Sequence, residues 1–200
     1  MKRPVIEAGI AEKLQEIPKG SILFVDDFLD FGNPDSIKKA LLRLKQKRLL
    51  VNLAHGIYLY PKKDKELDIL YPSTEDIAKA IARRDKARII PTGVQALNRL
   101  GLSTQVPMKV VYLTDGAARS IKIGKRTITF KKTSPKNLLT RGEISTLAIQ
   151  ALKTIGQGKV DDDTLKKVKT ILRKERQENI LHDAKLAPAW IKKILMPTIR

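Results

Sequence analysis

The spacing of apolar residues divides the first 62 residues into short, regular elements. Apolar positions recur at helical intervals in some segments and form brief β-branched runs in others. Gly56 permits a tight turn between the last two runs, which predicts a β-hairpin. The predicted order is helix, strand, helix, helix, strand, strand, over residues 6–17, 22–24, 26–31, 34–48, 49–53 and 57–60.

The predicted helix over 34–48 has one apolar and one cationic side. Asn33 is a favourable N-cap, and Pro34 suits the first helical turn. Four apolar residues follow the i, i+3, i+4, i+7 spacing of a buried stripe: Ile37, Ala40, Leu41 and Leu44. Four polar residues project from another side and are expected to read base edges: Ser36, Lys39, Arg43 and Gln46. With the hairpin directly after it, this helix predicts a winged helix-turn-helix that enters the major groove of double-stranded DNA.

Further residues around this helix are expected to hold the phosphate backbone. They are Lys38, Lys45, Lys47 and His55, the last in the hairpin turn. The plain alternative is a solvated basic face without a ligand. Leu42 lies off the apolar stripe, and we expect it to pack against the hairpin or the second helix.

The remaining chain predicts a linker over 63–72 and a mixed α/β domain over 73–200 with a helical C-terminal part. The fold class is therefore α+β, with a winged-helix domain over 1–62. In the second domain Ser73 and Asp76 have the spacing of a capping box. The expected strands are 88–91, 109–114, 119–123 and 126–132, and the expected helices are 74–85, 93–100, 143–156, 161–173, 175–185 and 188–196.

The charge of the chain favours a polyanionic partner. Forty Lys and Arg residues against 21 Asp and Glu give a net charge of +19 and a pI near 10.1. Nucleic acid is the first candidate and an anionic membrane the second, although no apolar run approaches a spanning length. The N-terminal residues do not have the pattern of a signal peptide, so we predict a cytoplasmic protein. The absence of cysteine excludes disulfides and thiolate zinc sites.

Most of that charge lies beyond the predicted winged helix. Residues 1–62 have a net charge of +4, and residues 63–200 have +15. A second basic patch is predicted on the hairpin 119–132, formed by Arg119, Lys122, Lys125, Arg126, Lys131 and Lys132. It would bind nucleic acid or an acidic protein partner, or it would only protect an exposed sheet edge.

Residues typical of catalysis are sparse. His55 and His182 fall in different predicted domains, and Asp161 to Asp163 read as the start of a helix rather than as a metal site. We predict no catalytic residue, metal or cofactor, and therefore no enzyme. Two alternatives stay open: an RNA-binding or general nucleoprotein component, which the 4% aromatic content disfavours, and a nucleotidyltransferase or nuclease.

Three segments carry a resemblance to a known family. Residues 40–44 followed by 56–61 (ALLRL and GIYLYP), residues 90–102 (IPTGVQALNRLGL) and residues 111–116 (VYLTDG) resemble the AbiE-type abortive-infection antitoxins. The resemblance implies a bacterial antitoxin of a type IV toxin–antitoxin pair that represses its own promoter at inverted repeats, which would suit a homodimer on DNA. It also implies a nucleotidyltransferase-like toxin as functional partner, without a stable complex.

Overall fold

The computed structural model describes residues 3–105 and 107–198, with side chains from residue 6 onward. The predicted domain limits at residues 1 and 200 lie outside the described residues. The α-helices are α1 Arg3–Glu16, α2 Pro34–Gln46, α3 Thr74–Arg84, α4 Val94–Arg99, α5 Glu143–Ile155, α6 Asp162–Leu172, α7 Gln177–Leu186 and α8 Ala189–Leu195. The strands are β1 Ile22–Phe24, β2 Val51–Ala54, β3 Ile57–Leu59, β4 Lys62–Asp64, β5 Asp68–Leu70, β6 Ile89–Pro91, β7 Lys109–Thr114, β8 Arg119–Ile123 and β9 Arg126–Lys132. The α+β class is confirmed.

The N-terminal elements enclose a small core in the predicted order. Strand β3 lies between β1 and β2 and is antiparallel to both, so β2 and β3 form a hairpin. The predicted stripe on α2 is confirmed as buried. It joins a cluster formed by Ile10, Leu14, Leu23, Phe28, Ile37, Ala40, Leu41, Leu44, Leu50 and Tyr58. Each fully buried Leu or Ile contributes about 1.5–3 kcal/mol to folding, so this stripe holds α2 firmly in place.

Two elements of this region differ from the prediction in type or length. Residues Val25–Phe31 form a 3-10 helix. Helix α2 ends at Gln46 rather than at residue 48, because Arg48 adopts a left-handed backbone conformation with φ 60°. The N–H groups of Arg48 and Leu49 then donate to the carbonyls of Lys45 and Leu44, which is the Schellman arrangement that closes a helix.

The segment predicted as a linker contains a hairpin. Strands β4 and β5 pair in antiparallel register from Lys62↔Leu70 to Asp64↔Asp68. At the turn, Asp64 Oδ1 accepts hydrogen bonds from the N–H groups of Glu66 and Leu67. The chain divides into two compact units. One contains the residues up to Ala80 with Lys122–Gly124, and the other contains Ile81–Ile121 with the residues from Lys125 onward. The division after Ala80 thus lies beyond the segment 63–72.

The central sheet has the strand order β6-β7-β9-β8. Strand β7 is antiparallel to β6 and parallel to β9. The predicted capping box of α3 is confirmed, since the Ser73 hydroxyl and the Asp76 carboxylate exchange hydrogen bonds with each other's backbone N–H. The C-terminal helices enclose a separate apolar cluster around α5, which includes Leu147, Leu152, Leu172, Ile180 and Ile191.

A buried carboxylate on α7 anchors the start of α5. Asp183 is 0% exposed, and its Oδ1 and Oδ2 accept the backbone N–H groups of Arg141 at 2.8 Å and Gly142 at 3.0 Å. The Ser145 hydroxyl donates to Oδ2, and His182 Nδ1 lies 2.9 Å from Oδ1. A Cβ on Gly142 would collide with Ser145 Oγ, so the close approach favours glycine at this position. Asp183 and the groups that it binds thus cap the N-terminus of the buried helix α5.

Candidate nucleic-acid interface

The start of α2 is fixed by its cap. The Asn33 side chain accepts the Ser36 N–H at 2.9 Å, and Pro34 occupies the first turn, as the sequence predicts. Together with the buried stripe, this cap fixes the rotation of α2 about its axis. The positions of its polar side chains follow from that rotation.

One side of α2 is paired with α1. Arg43 Nε donates to Glu7 Oε2 at 2.5 Å, and Lys47 Nζ forms an ion pair with Glu7 Oε1 at 2.7 Å. The Glu7 side chain is only 14% exposed, whereas those of Arg43 and Lys47 are 36% and 64% exposed. Lys47 and Arg43 hold the pKa of Glu7 below its ordinary value. Both cations therefore lie beside α1, although the sequence predicts Arg43 as a base reader and Lys47 as a phosphate contact.

The outward ridge of α2 carries Lys39, Leu42 and Gln46. All three are exposed, and their i, i+3, i+7 spacing places them in one row. Ser36 is half-buried in the first turn. The structure thus keeps Lys39 and Gln46 of the predicted base readers together on the exposed ridge, and it places Arg43 against Glu7.

A groove of about 270 Å³ separates the other side of α2 from the hairpin β2–β3. It is lined by Lys38, Leu42, Lys45, Asn52, His55, Gly56 and Tyr58. Three of the four predicted phosphate contacts, Lys38, Lys45 and His55, thus share one surface. Lys38 also pairs with Asp35 at 3.2 Å on the helix surface.

The hairpin that forms the far wall is internally braced. Asn52 Nδ2 donates to the carbonyls of Ala54 at 2.7 Å and Ile57 at 3.3 Å, across the turn. Gly56 has φ 69°, a conformation that favours glycine and lets the chain reverse beside His55. Sequence reasoning did not select Asn52, because its role depends on contacts made after the turn has formed.

The second basic patch is split by the sheet that carries it. Side chains alternate between the two faces of a strand, so Arg126 and Lys132 project from one face of β9 and Lys131 from the other. Arg119 forms an ion pair with Asp85 and lies over the Phe130 ring at 5.6 Å. Lys122 lies on the same face of β8 as Ser120, and the Ser120 hydroxyl is 3.0 Å from the Thr129 hydroxyl on β9. Lys125 is in the turn between the two strands. The six residues therefore do not form one continuous surface.

Candidate chemistry elsewhere has structural explanations. Asp161 accepts the Thr164 N–H at 2.7 Å as the N-cap of α6, and this hydrogen bond lowers the pKa of Asp161. Over residues 3–105 and 107–198, no group of three His, Asp or Glu side chains is arranged to hold a metal ion. In the same part of the chain, no helix has both the length and the apolar character needed to cross a bilayer.

Comparison with known proteins gives a family and a likeness to a solved structure. The profile of a family of unknown function (DUF6088) matches residues 9–180. Among solved structures, the chain is similar to the RV2827C protein from Mycobacterium tuberculosis, with 12% sequence identity and a TM-score of 0.46. That match covers 96% of this chain and 79% of the other. No curated protein matches the chain significantly.

Proposed function

The chain belongs to DUF6088, a family of unknown function, and we propose that it is a sequence-specific DNA-binding autorepressor and the antitoxin of a type IV toxin–antitoxin pair. The observation that carries the DNA-binding part is the surface shared by α2 and the hairpin β2–β3. An exposed helical ridge lies beside a groove lined by Lys38, Lys45 and His55, with the hairpin on its far side. A helix in the major groove with a hairpin against the flanking backbone is the arrangement that such a surface fits.

The contacts divide between bases and phosphates. Lys39 and Gln46 read base edges, because Lys can donate to guanine and Gln can make two hydrogen bonds to adenine. Lys38, Lys45 and His55 hold phosphates on the hairpin side. Ser36 contacts DNA at the first turn, while Arg43 and Lys47 fix α2 against α1 through Glu7.

The DNA-binding proposal is tested by measuring affinity for a duplex from the region upstream of the gene and for a scrambled duplex of equal composition. We expect the upstream duplex to bind more tightly by a factor of at least 10³, the lower end of specific recognition, at one fixed salt concentration. Equal affinity for the two duplexes would contradict sequence-specific repression. A preference for single-stranded RNA over both duplexes would favour the RNA-binding alternative.

The antitoxin part is supported by the resemblance of three segments to AbiE-type antitoxins. These segments lie on α2 and β3, on β6 and α4, and on β7. The proposal includes inverted repeats bound by a homodimer, and a nucleotidyltransferase-like toxin that is opposed without a stable complex. Its test is co-expression with a nucleotidyltransferase-like protein encoded next to the gene. We expect that protein alone to arrest growth and this chain to restore it, and arrest that persists in the presence of this chain would refute the antitoxin role.

A further inference from the structure

Leu42 is an apolar residue in the middle of a cationic surface. It is 49% exposed, and it lies on the outward ridge of α2 between Lys39 and Gln46. It also lines the groove that Lys45 and His55 share. The core cluster is formed by other positions of α2, so the packing of the N-terminal unit does not require a leucine here.

A leucine in this position can recognise only an apolar feature of its partner. The base-pair edges of the major groove present hydrogen-bonding groups and one apolar group, the 5-methyl of thymine. We propose that Leu42 contacts a thymine methyl and thereby selects a thymine-containing half-site. This inference rests on the proposed function, since it requires α2 to lie in the major groove.

The neighbouring side chains determine where that thymine would lie. Lys39 and Gln46 are seven residues apart, which corresponds to about 10 Å along a helix at 1.5 Å per residue. That length spans about three steps of the 3.4 Å base-pair repeat. Leu42 is between them, so its thymine lies within the base pairs read by Lys39 and Gln46, and the cations beside the groove hold the flanking phosphates.

The test removes only the methyl group from the DNA. The bound sequence is first obtained by selection from a random duplex library with the full-length protein, and each thymine is then replaced by deoxyuridine in turn. We expect one replacement to weaken binding by the wild type about fourfold, the ratio that corresponds to ~0.8 kcal/mol for one buried methyl-sized group. Leu42→Ala should bind the thymine and deoxyuridine duplexes equally.

The matched control is Leu49→Ala. Leu49 is a second exposed leucine, 43% exposed, just beyond the end of α2 and outside the groove. This variant should keep the full penalty for deoxyuridine. If no deoxyuridine weakens binding by the wild type, or if Leu42→Ala keeps the penalty, the Leu42 contact is refuted while sequence-specific binding stands. If selection enriches no sequence, both the contact and the proposed function fail.

Discussion

Replacing Glu7 with Gln should loosen the side of α2 that lies against α1. In the folded protein one carboxylate holds two cations, Arg43 at 2.5 Å and Lys47 at 2.7 Å. The substitution keeps the size of the side chain and removes its charge. Both cations then become available to phosphates beside the DNA-binding surface.

The effect on DNA binding follows from counterion release. Each phosphate neutralised by a cation adds about 0.9 to the steepness of the dependence of log K on log salt. Release of two cations should therefore steepen the slope by up to about 1.8 and raise affinity for every duplex sequence at low salt. A salt titration of the dissociation constant, with scrambled duplex, measures both quantities.

The effect on stability has a defined pH dependence. Lys47 and Arg43 lower the pKa of Glu7 in the folded protein. The stability that these two ion pairs contribute is therefore fully present above the pKa of Glu7 in the unfolded chain, and it is lost as pH falls through the lower pKa of the folded state. Arg43 and Lys47 are 36% and 64% exposed, so solvent screening limits the contribution to about 1 kcal/mol. Chemical denaturation of wild type and Glu7→Gln at pH 7 and in strong acid measures it.

Glu12→Gln is the matched control, because Glu12 is an exposed carboxylate on the same helix and the change in net charge is the same. The control should leave the salt slope close to that of the wild type. An unchanged slope in Glu7→Gln, or a stability loss that is equal at neutral and strongly acidic pH, would refute the reasoning.

Three further predictions concern other parts of the chain. Asp183→Asn should lower the free energy of unfolding by about 2 kcal/mol, because the amide NH2 replaces one carboxylate oxygen and leaves the N–H of either Arg141 or Gly142 without an acceptor. The melting temperature should fall by about 4–8 °C, and a loss under ~0.5 kcal/mol would contradict the capping role. Arg48→Gly should stabilise the N-terminal unit by up to about 1 kcal/mol, because a backbone φ of 60° is strained for arginine but not for glycine. Denaturant titrations measure this change, and a loss of stability would show that the arginine side chain is needed. Replacing Lys125 and Lys131 with Gln tests whether the second basic patch on the hairpin 119–132 binds DNA. If it does, the variant should bind all duplexes more weakly by the same factor, and log K should depend less steeply on log salt. An unchanged dependence would exclude DNA as the ligand of these residues.

The regular elements were predictable because their signals are local. The apolar stripe of α2, the cap at Asn33 and the strands β7, β8 and β9 follow from periodicity and turn residues alone. The end of α2 was missed because a Schellman closure normally uses glycine, and Arg48 occupies that position here. The hairpin β4–β5 was missed because Lys62, Lys63 and Asp64 are all exposed and show no alternation.

The candidate site was predictable only in part, because its arrangement depends on contacts between distant residues. Helical spacing placed Arg43 among the base readers, but a carboxylate 36 residues earlier in the chain binds its guanidinium. The role of Leu42 also depends on tertiary structure, since only the position of the hairpin shows that it lines a groove. Lys38, Lys45 and His55, which the sequence predicts as phosphate contacts, line that groove together.

The central claim is that α2 reads base edges while the groove beside it holds phosphates. The most direct measurement compares the affinity of wild type, Gln46→Ala and Lys45→Ala for the selected duplex and for its scrambled form at one salt concentration. The account predicts that Gln46→Ala loses about tenfold on the selected duplex only, within the ~1–3 kcal/mol expected of a base contact, and that Lys45→Ala weakens binding to both duplexes equally. Equal losses on the two duplexes for Gln46→Ala, or no preference of the wild type for either, would contradict it.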